Sequence, residues 1–163
     1  MLSGSLFFVG ATKNFLKVLE NTKREELSVL QAWKAVCEDN GIDPRFTYIV
    51  IAQYTWETNW GRSKIRKENN NLFGMRHNSR GYSLGPMNQH ASYEKPIDSI
   101  KDYAAWQKKM LAARPDVETE EDYLNMLDQY KVPWCYDCRY AEDLTYTNKI
   151  RRRMAELKEL EGE

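Results

Sequence analysis

Residues 44–58 read as a helix with almost no polar face, and that demand constrains this chain more than any other. Asp43 before Pro44 supplies an N-cap followed by proline at the first helical position. At the helical angle per residue, Phe46, Val50, Gln53 and Glu57 fall on one narrow stripe. Ile49 and Tyr54 flank it, and Tyr48, Ile51, Ala52 and Trp56 take the other sides. A helix that is apolar nearly all round belongs in the interior, wrapped by other elements.

The rest of the chain offers those elements. Phe15, Leu16, Val18 and Leu19 suggest a short helix over 12–21, within an N-terminal extension of residues 1–22 that the pattern does not place. A helix over 23–39 carries Leu27, Leu30, Trp33 or Lys34, and Cys37 at helical spacing, and Asn40-Gly41 stops it. Residues 61–95 keep no sustained period and contain Arg80-Gly81 and Leu84-Gly85-Pro86, which reads as loops with a β-hairpin lobe over about 73–93. Pro96 opens a helix with Ile97, Ile100, Tyr103, Ala104 and Leu111 facing in. Thr119 and Asp122 are spaced as a capping pair for the next, with Tyr123, Leu127 and Tyr130 on one face and Pro133 beyond its end. A last helix over about 141–160 points Tyr146, Ile150, Met154 and Leu157 inward. The class expected is α+β, mainly α, in one domain over 1–163.

Lys plus Arg number 24, as do Asp plus Glu, so the formal net charge is zero. A nucleic-acid binder usually carries a basic excess, and none is expected as a partner here. The basic run Arg151-Arg152-Arg153 is balanced by Glu156, Glu159 and Glu161 and reads as a solvated helix face. No segment approaches the ~20 apolar residues of a membrane span, so no membrane insertion is expected. Leu6-Phe7-Phe8-Val9 is shorter than the ~7–15-residue core of an export signal, and no basic stretch precedes it, so no signal peptide is visible. Five Trp and ten Tyr supply flat faces with polar edges, suited to stacking on sugar rings and equally to core packing. The three cysteines give no disulfide framework. Cys135-Tyr136-Asp137-Cys138 lacks a second ligand pair, so no metal and no cofactor are expected. His77 reads as an exposed loop histidine.

Glu57 is the anomaly in the apolar helix. Its helical neighbours, Gln53, Tyr54, Trp60 and Gly61, include no cation. A carboxylate in such surroundings has its charged form disfavoured and its pKa raised. A carboxyl kept protonated near neutral pH is suited to general acid chemistry at a glycosidic oxygen. The bland alternative is that Glu57 reaches solvent at the helix end, or pairs with Arg62 or Arg66.

Four motifs in order add to this. They are Ala52-Gln53 leading to Glu57-Thr58, Trp60-Gly61 and Ser63; Asn70-Asn71-Leu72-Phe73-Gly74-Met75; Tyr93 with Ser99-Ile100 and Asp102-Tyr103; and Tyr140-Ala141-Glu142-Asp143 with Tyr146 and Lys149-Ile150. Together they resemble the bacterial N-acetylglucosaminidases of glycoside hydrolase family seventy-three, which include flagellar wall hydrolases and autolysins. The resemblance runs over roughly residues 25–150. It implies a lysozyme-like helical domain with a small hairpin lobe flanking a substrate groove. It also implies cleavage of the N-acetylglucosaminyl-β-1,4-N-acetylmuramyl bond of peptidoglycan at the bacterial cell wall; a monomer is expected, periplasmic, secreted or phage-delivered. Glu57 would then be the proton donor, and Tyr140 would line the catalytic centre. Gln53, Trp60, Asn71, Phe73, Tyr93, Trp134 and Tyr136 are the candidates for sugar contact.

The pattern departs from the family at one place. Glycosidases usually use two carboxylates, yet residues 69–93 contain no Asp and no Glu. Glu94, Asp137 and Asp143 are the candidates for a second acid. Substrate-assisted attack by the N-acetyl oxygen and lytic transglycosylase chemistry need none. Muramidase action on the same glycan and a non-catalytic glycan-binding or assembly module of the same fold complete the alternatives.

Overall fold

A computed structural model describes residues 21, 24, 25, 27–59, 61–78, 80–129 and 145–162. The expected helix over 12–21, Tyr130 and Pro133 lie outside them, apart from residue 21, which is helical. The first helix, α1, runs through 27–40 and ends at Gly41, whose φ of +58° is the left-handed stop that Asn40-Gly41 predicts. Leu30, Trp33 and Cys37 are its buried stripe, while Leu27 is exposed; the alternative inward residue Lys34 pairs with Glu161 at 3.0 Å.

Asp43 caps the next element as expected, its carboxylate accepting from the Arg45 backbone N–H at 2.9 Å. One 3-10 turn, Pro44–Phe46, leads into α2, Thr47–Glu57. The eight residues of α2 that are buried include Ile49, Val50, Ile51 and Ala52 at zero exposure on successive sides of the helix. It is therefore the central element the sequence demands. It packs on α6, Tyr146–Glu161, where Tyr146, Ile150, Met154 and Leu157 are all buried. α4, Pro96–Ala112, and α5, Glu120–Gln129, close the core with Ile100, Tyr103, Ala104, Tyr123, Leu124 and Leu127. At the start of α5 the capping pair is complete. Asp122 accepts from the Thr119 N–H at 2.9 Å and Thr119 Oγ1 accepts from the Asp122 N–H at 3.1 Å.

The β lobe is smaller than 73–93. A short helix, α3 (Lys64–Asn69), precedes it, unforeseen because its six residues carry no apolar stripe. The hairpin proper is β1, Gly85–Met87, paired antiparallel with β2, His90–Ser92. Its two turn residues, Asn88 and Gln89, both have positive φ, the twist that closes a two-residue hairpin. Residues 69–75 hang on this hairpin by asparagine side chains and by two backbone bonds, from the Ala91 N–H to the Met75 carbonyl and from the Tyr93 N–H to the Asn69 carbonyl, both at 2.8 Å. The Asn69 amide donates to the Met87 carbonyl at 2.6 Å, and the Asn71 amide to the Ala91 carbonyl at 2.9 Å. The result is a mainly helical domain with one small antiparallel hairpin.

The basic run divides. Arg151 meets Glu121 at 2.6 Å, whereas Arg153 is buried and meets Glu156 at 2.6 Å, so it is not wholly a solvated face. Among the described residues, no helix is long and apolar enough to cross a membrane.

Candidate active site

Glu57 is the last residue of α2. Thr58, fully buried behind it, fixes the chain's exit: its hydroxyl donates to the Tyr54 carbonyl at 2.7 Å and accepts from the Gly61 N–H at 2.9 Å. Asn59 and Gly61, both at positive φ, then turn the chain toward α3. Gly61 has a second reason to be glycine, since a Cβ there would lie 2.8 Å from the Glu25 carboxylate. Glu25 in turn accepts from the Tyr54 hydroxyl at 3.0 Å and from Arg66 at 2.9 Å. Arg66 is thus engaged away from Glu57, and Arg62 is exposed.

Glu57 is exposed, so it reaches solvent at the helix end, as the alternative reading has it, and is not enclosed with the rest of α2. Its pKa is nevertheless raised above the ordinary carboxylate value, because the surrounding protein strips solvent from the charged form. Two neighbours define the carboxyl's position. Tyr146, from the first turn of α6, donates its hydroxyl to Glu57 Oε1 at 3.3 Å, which partly offsets the rise. Gly74, at φ +62°, lies so close that a Cβ would sit 3.0 Å from Glu57 Oε2. The helix end, α6 and the loop before the hairpin therefore meet at one carboxyl. Among the described residues no cation contributes to its pKa.

Gln53, a candidate for sugar contact, lies one helical turn before Glu57 and has zero exposure. Its Oε1 accepts from the Tyr103 hydroxyl at 2.6 Å, and its Nε2 donates to the Tyr146 hydroxyl at 3.5 Å. Three further candidates for sugar contact also lie below the surface. Asn71 is buried, with its amide donating to the Met75 and Ala91 carbonyls and its Oδ1 accepting from the Phe73 and Met75 N–H groups. Its hydrogen-bonding capacity shapes the turn that presents Gly74. Phe73 is buried and stacks on Tyr103 at 4.3 Å between centroids. Tyr93 is buried and donates to Asp102 at 2.7 Å, and Asp102 also holds Arg80. Glu94 is exposed, just before the N-cap Lys95 of α4. Trp60, Trp134, Tyr136, Asp137, Tyr140 and Asp143 lie outside the described residues.

Tyr146 and Gly74 are the neighbours of Glu57 that the sequence reading left out. Tyr146 reads there as core, and it is 8% exposed, yet its hydroxyl reaches the carboxyl. A buried tyrosine hydroxyl facing a stripe that contains Gln53 and Glu57 was the available signal. His77 is an exposed loop residue, its Nδ1 2.6 Å from the Ser83 hydroxyl. Cys37 is buried and its thiol is pushed up to about 11, chiefly by burial. Among the described residues no cluster of three His, Cys, Asp or Glu is placed to hold a metal ion.

Residues 30–159 match the family Glucosaminidase, described as mannosyl-glycoprotein endo-beta-N-acetylglucosaminidase. The fold is similar to the crystal structure of the catalytic domain of the autolysin Auto from Listeria monocytogenes. The TM-score is 0.56 at 22% identity, over 83% of each chain. No curated protein matches the sequence.

Proposed function

The chain belongs to the glucosaminidase family of glycoside hydrolases, and on that premise we propose that it cleaves the N-acetylglucosaminyl-β-1,4-N-acetylmuramyl bond of peptidoglycan with Glu57 as general acid. One observation carries the residue assignment. Glu57 is reachable from solvent, has a raised pKa, and is held between the Tyr146 hydroxyl and Gly74. A carboxyl in that state keeps its proton closer to neutral pH and delivers it to the leaving oxygen of a bound glycan. The match to an autolysin's catalytic domain supports a wall substrate.

By resemblance to the family, Tyr140 lines the reacting centre, while the aromatic rings of Trp60, Trp134 and Tyr136 are the candidates for stacking on the glycan. Glu94, Asp137 and Asp143 are the candidates for activating water. The chain acts at the bacterial cell wall.

Digestion of purified walls followed by mass spectrometry tests the reaction. Reducing N-acetylglucosamine ends are expected. Reducing muramic ends would assign a muramidase, anhydro-muramic ends a transglycosylase, and binding without release a glycan-binding module. Glu57→Gln is expected to abolish turnover with the fold retained. Wild-type rates in that variant would remove Glu57 from the chemistry.

A further inference from the structure

Behind Glu57 a row of buried polar side chains crosses the core from α4 and α5 to α2 and α6. Gln107 Nε2 lies 3.2 Å from the Tyr123 hydroxyl, and Tyr123 lies 3.4 Å from the Tyr103 hydroxyl. Tyr103 is 2.6 Å from Gln53 Oε1, Gln53 Nε2 is 3.5 Å from the Tyr146 hydroxyl, and that hydroxyl is 3.3 Å from Glu57 Oε1. Gln53, Tyr103, Gln107 and Tyr123 all have zero exposure. A row of polar groups through a core is costly unless it is hydrogen-bonded, so its direction matters.

With the Gln53 and Gln107 amides oriented as they are, and Gln107 Oε1 left without a partner among the described residues, donor and acceptor inventories set that direction. Gln53 Oε1 accepts only, so the single Tyr103 proton points at it. Tyr103 must then accept from Tyr123, whose own proton is thereby committed. Tyr123 must accept from Gln107, whose Nε2 donates only. At the other end Gln53 Nε2 also donates only, so Tyr146 accepts there and its single proton is directed to Glu57. Every donor in the row points the same way, toward the carboxyl.

We propose that Gln53, Tyr103, Tyr123 and Gln107 are positioning residues that orient the Tyr146 proton toward Glu57. They act on the acid through Tyr146 and touch no substrate. Tyr103 is the decisive member, because its bond fixes which end of the Gln53 amide faces Tyr146. Without that bond Gln53 Oε1 loses the donor that holds it away from Tyr146, and the amide can compete with Glu57 for the Tyr146 proton. The groups facing Glu57 among the described residues are the Tyr146 hydroxyl from α6 and Gly74 from the loop. Lys149, one turn along α6, holds its ammonium over the Trp56 ring at 5.4 Å.

The test is the titration of the Glu57 carboxyl carbon by NMR, with its resonance identified by its absence in Glu57→Gln. This reading does not depend on activity. If Glu57 proves not to be the proton donor, the relay still stands or falls on the titration. Tyr103→Phe keeps the ring that stacks on Phe73 and removes one oxygen. The Glu57 pKa is expected to rise by about half to one unit, the scale of one hydrogen bond to a charged group. Tyr146→Phe should match or exceed that shift, and the double variant should add nothing to it. Tyr54→Phe removes another core tyrosine's hydroxyl, bonded to Glu25 outside the row, and is expected to leave the titration in place. Tyr123→Phe provides the same reading, with a smaller shift, should Tyr103→Phe fail to fold. A wild-type titration in folded Tyr103→Phe or Tyr123→Phe overturns the proposal. So does an equal shift in Tyr54→Phe, which would mean general loosening of the core.

Discussion

Gly74→Ala separates backbone strain from the geometry of the acid. Gly74 has a φ of +62°, and an added Cβ would lie 3.0 Å from Glu57 Oε2. A left-handed alanine costs roughly 1–2 kcal/mol. For a domain of this size that lowers Tm by about 2–8 °C. Gly41 supplies the matched control, with φ +58° and no atom within 4 Å of an added Cβ. Gly41→Ala should therefore lose similar stability and keep full activity. In Gly74→Ala the methyl must also push the carboxyl aside by a few tenths of an ångström and shield it further from water. A displacement of ~1 Å in a reacting group can cost ~10²-fold, so about a tenfold loss of kcat is expected, equivalent to about 1.4 kcal/mol. The assay is wall-lysis kinetics beside thermal melting for both variants, with the basic limb of the pH profile moving to higher pH in Gly74→Ala alone. Equal stability losses with unchanged kcat in both variants would refute the idea that this contact holds Glu57 in place.

Two further outcomes follow from the same structure. The raised pKa of Glu57 means the folded state holds its proton to higher pH than the unfolded chain, so stability falls as pH rises through that range. Glu57→Gln should accordingly melt at or above the wild type at neutral pH, with the difference shrinking below the ordinary carboxylate pKa; thermal melts against pH check both the sign and the window. Asn71→Ala leaves the Phe73 and Met75 N–H groups without their acceptor, while the Met75 and Ala91 carbonyls keep the Ala91 N–H and the Asn69 amide. A loss of about 2–4 kcal/mol is expected in denaturant unfolding, and a loss under 1 kcal/mol would show that water replaces the side chain there.

Much of the helical frame was legible in the chain. The apolar helix had one place to go, Asp43-Pro44 and Thr119 with Asp122 marked helix starts, and Asn40-Gly41 marked an end; each is a local signal obeyed locally. The hairpin lobe was legible only as a region. Its extent depended on how residues 69–75 meet the hairpin, through Asn69 and Asn71 side chains and two backbone bonds to β2, which is a long-range choice. The same two-sidedness affected the candidate site. Gln53, Asn71, Phe73 and Tyr93 were singled out by position, and all four were found beneath the surface, engaged with neighbours distant in sequence.

From the sequence alone came a central helix that must be surrounded, a carboxylate at its end with no nearby cation, and motifs whose order names the family. Tertiary structure decided what that carboxylate meets. Periodicity reports which face of an element turns inward, but not which atom of another element arrives opposite it. That is why Tyr146 and Gly74, separated from Glu57 by most of a domain and by a loop, became its neighbours only when α6 and the hairpin lobe closed around α2.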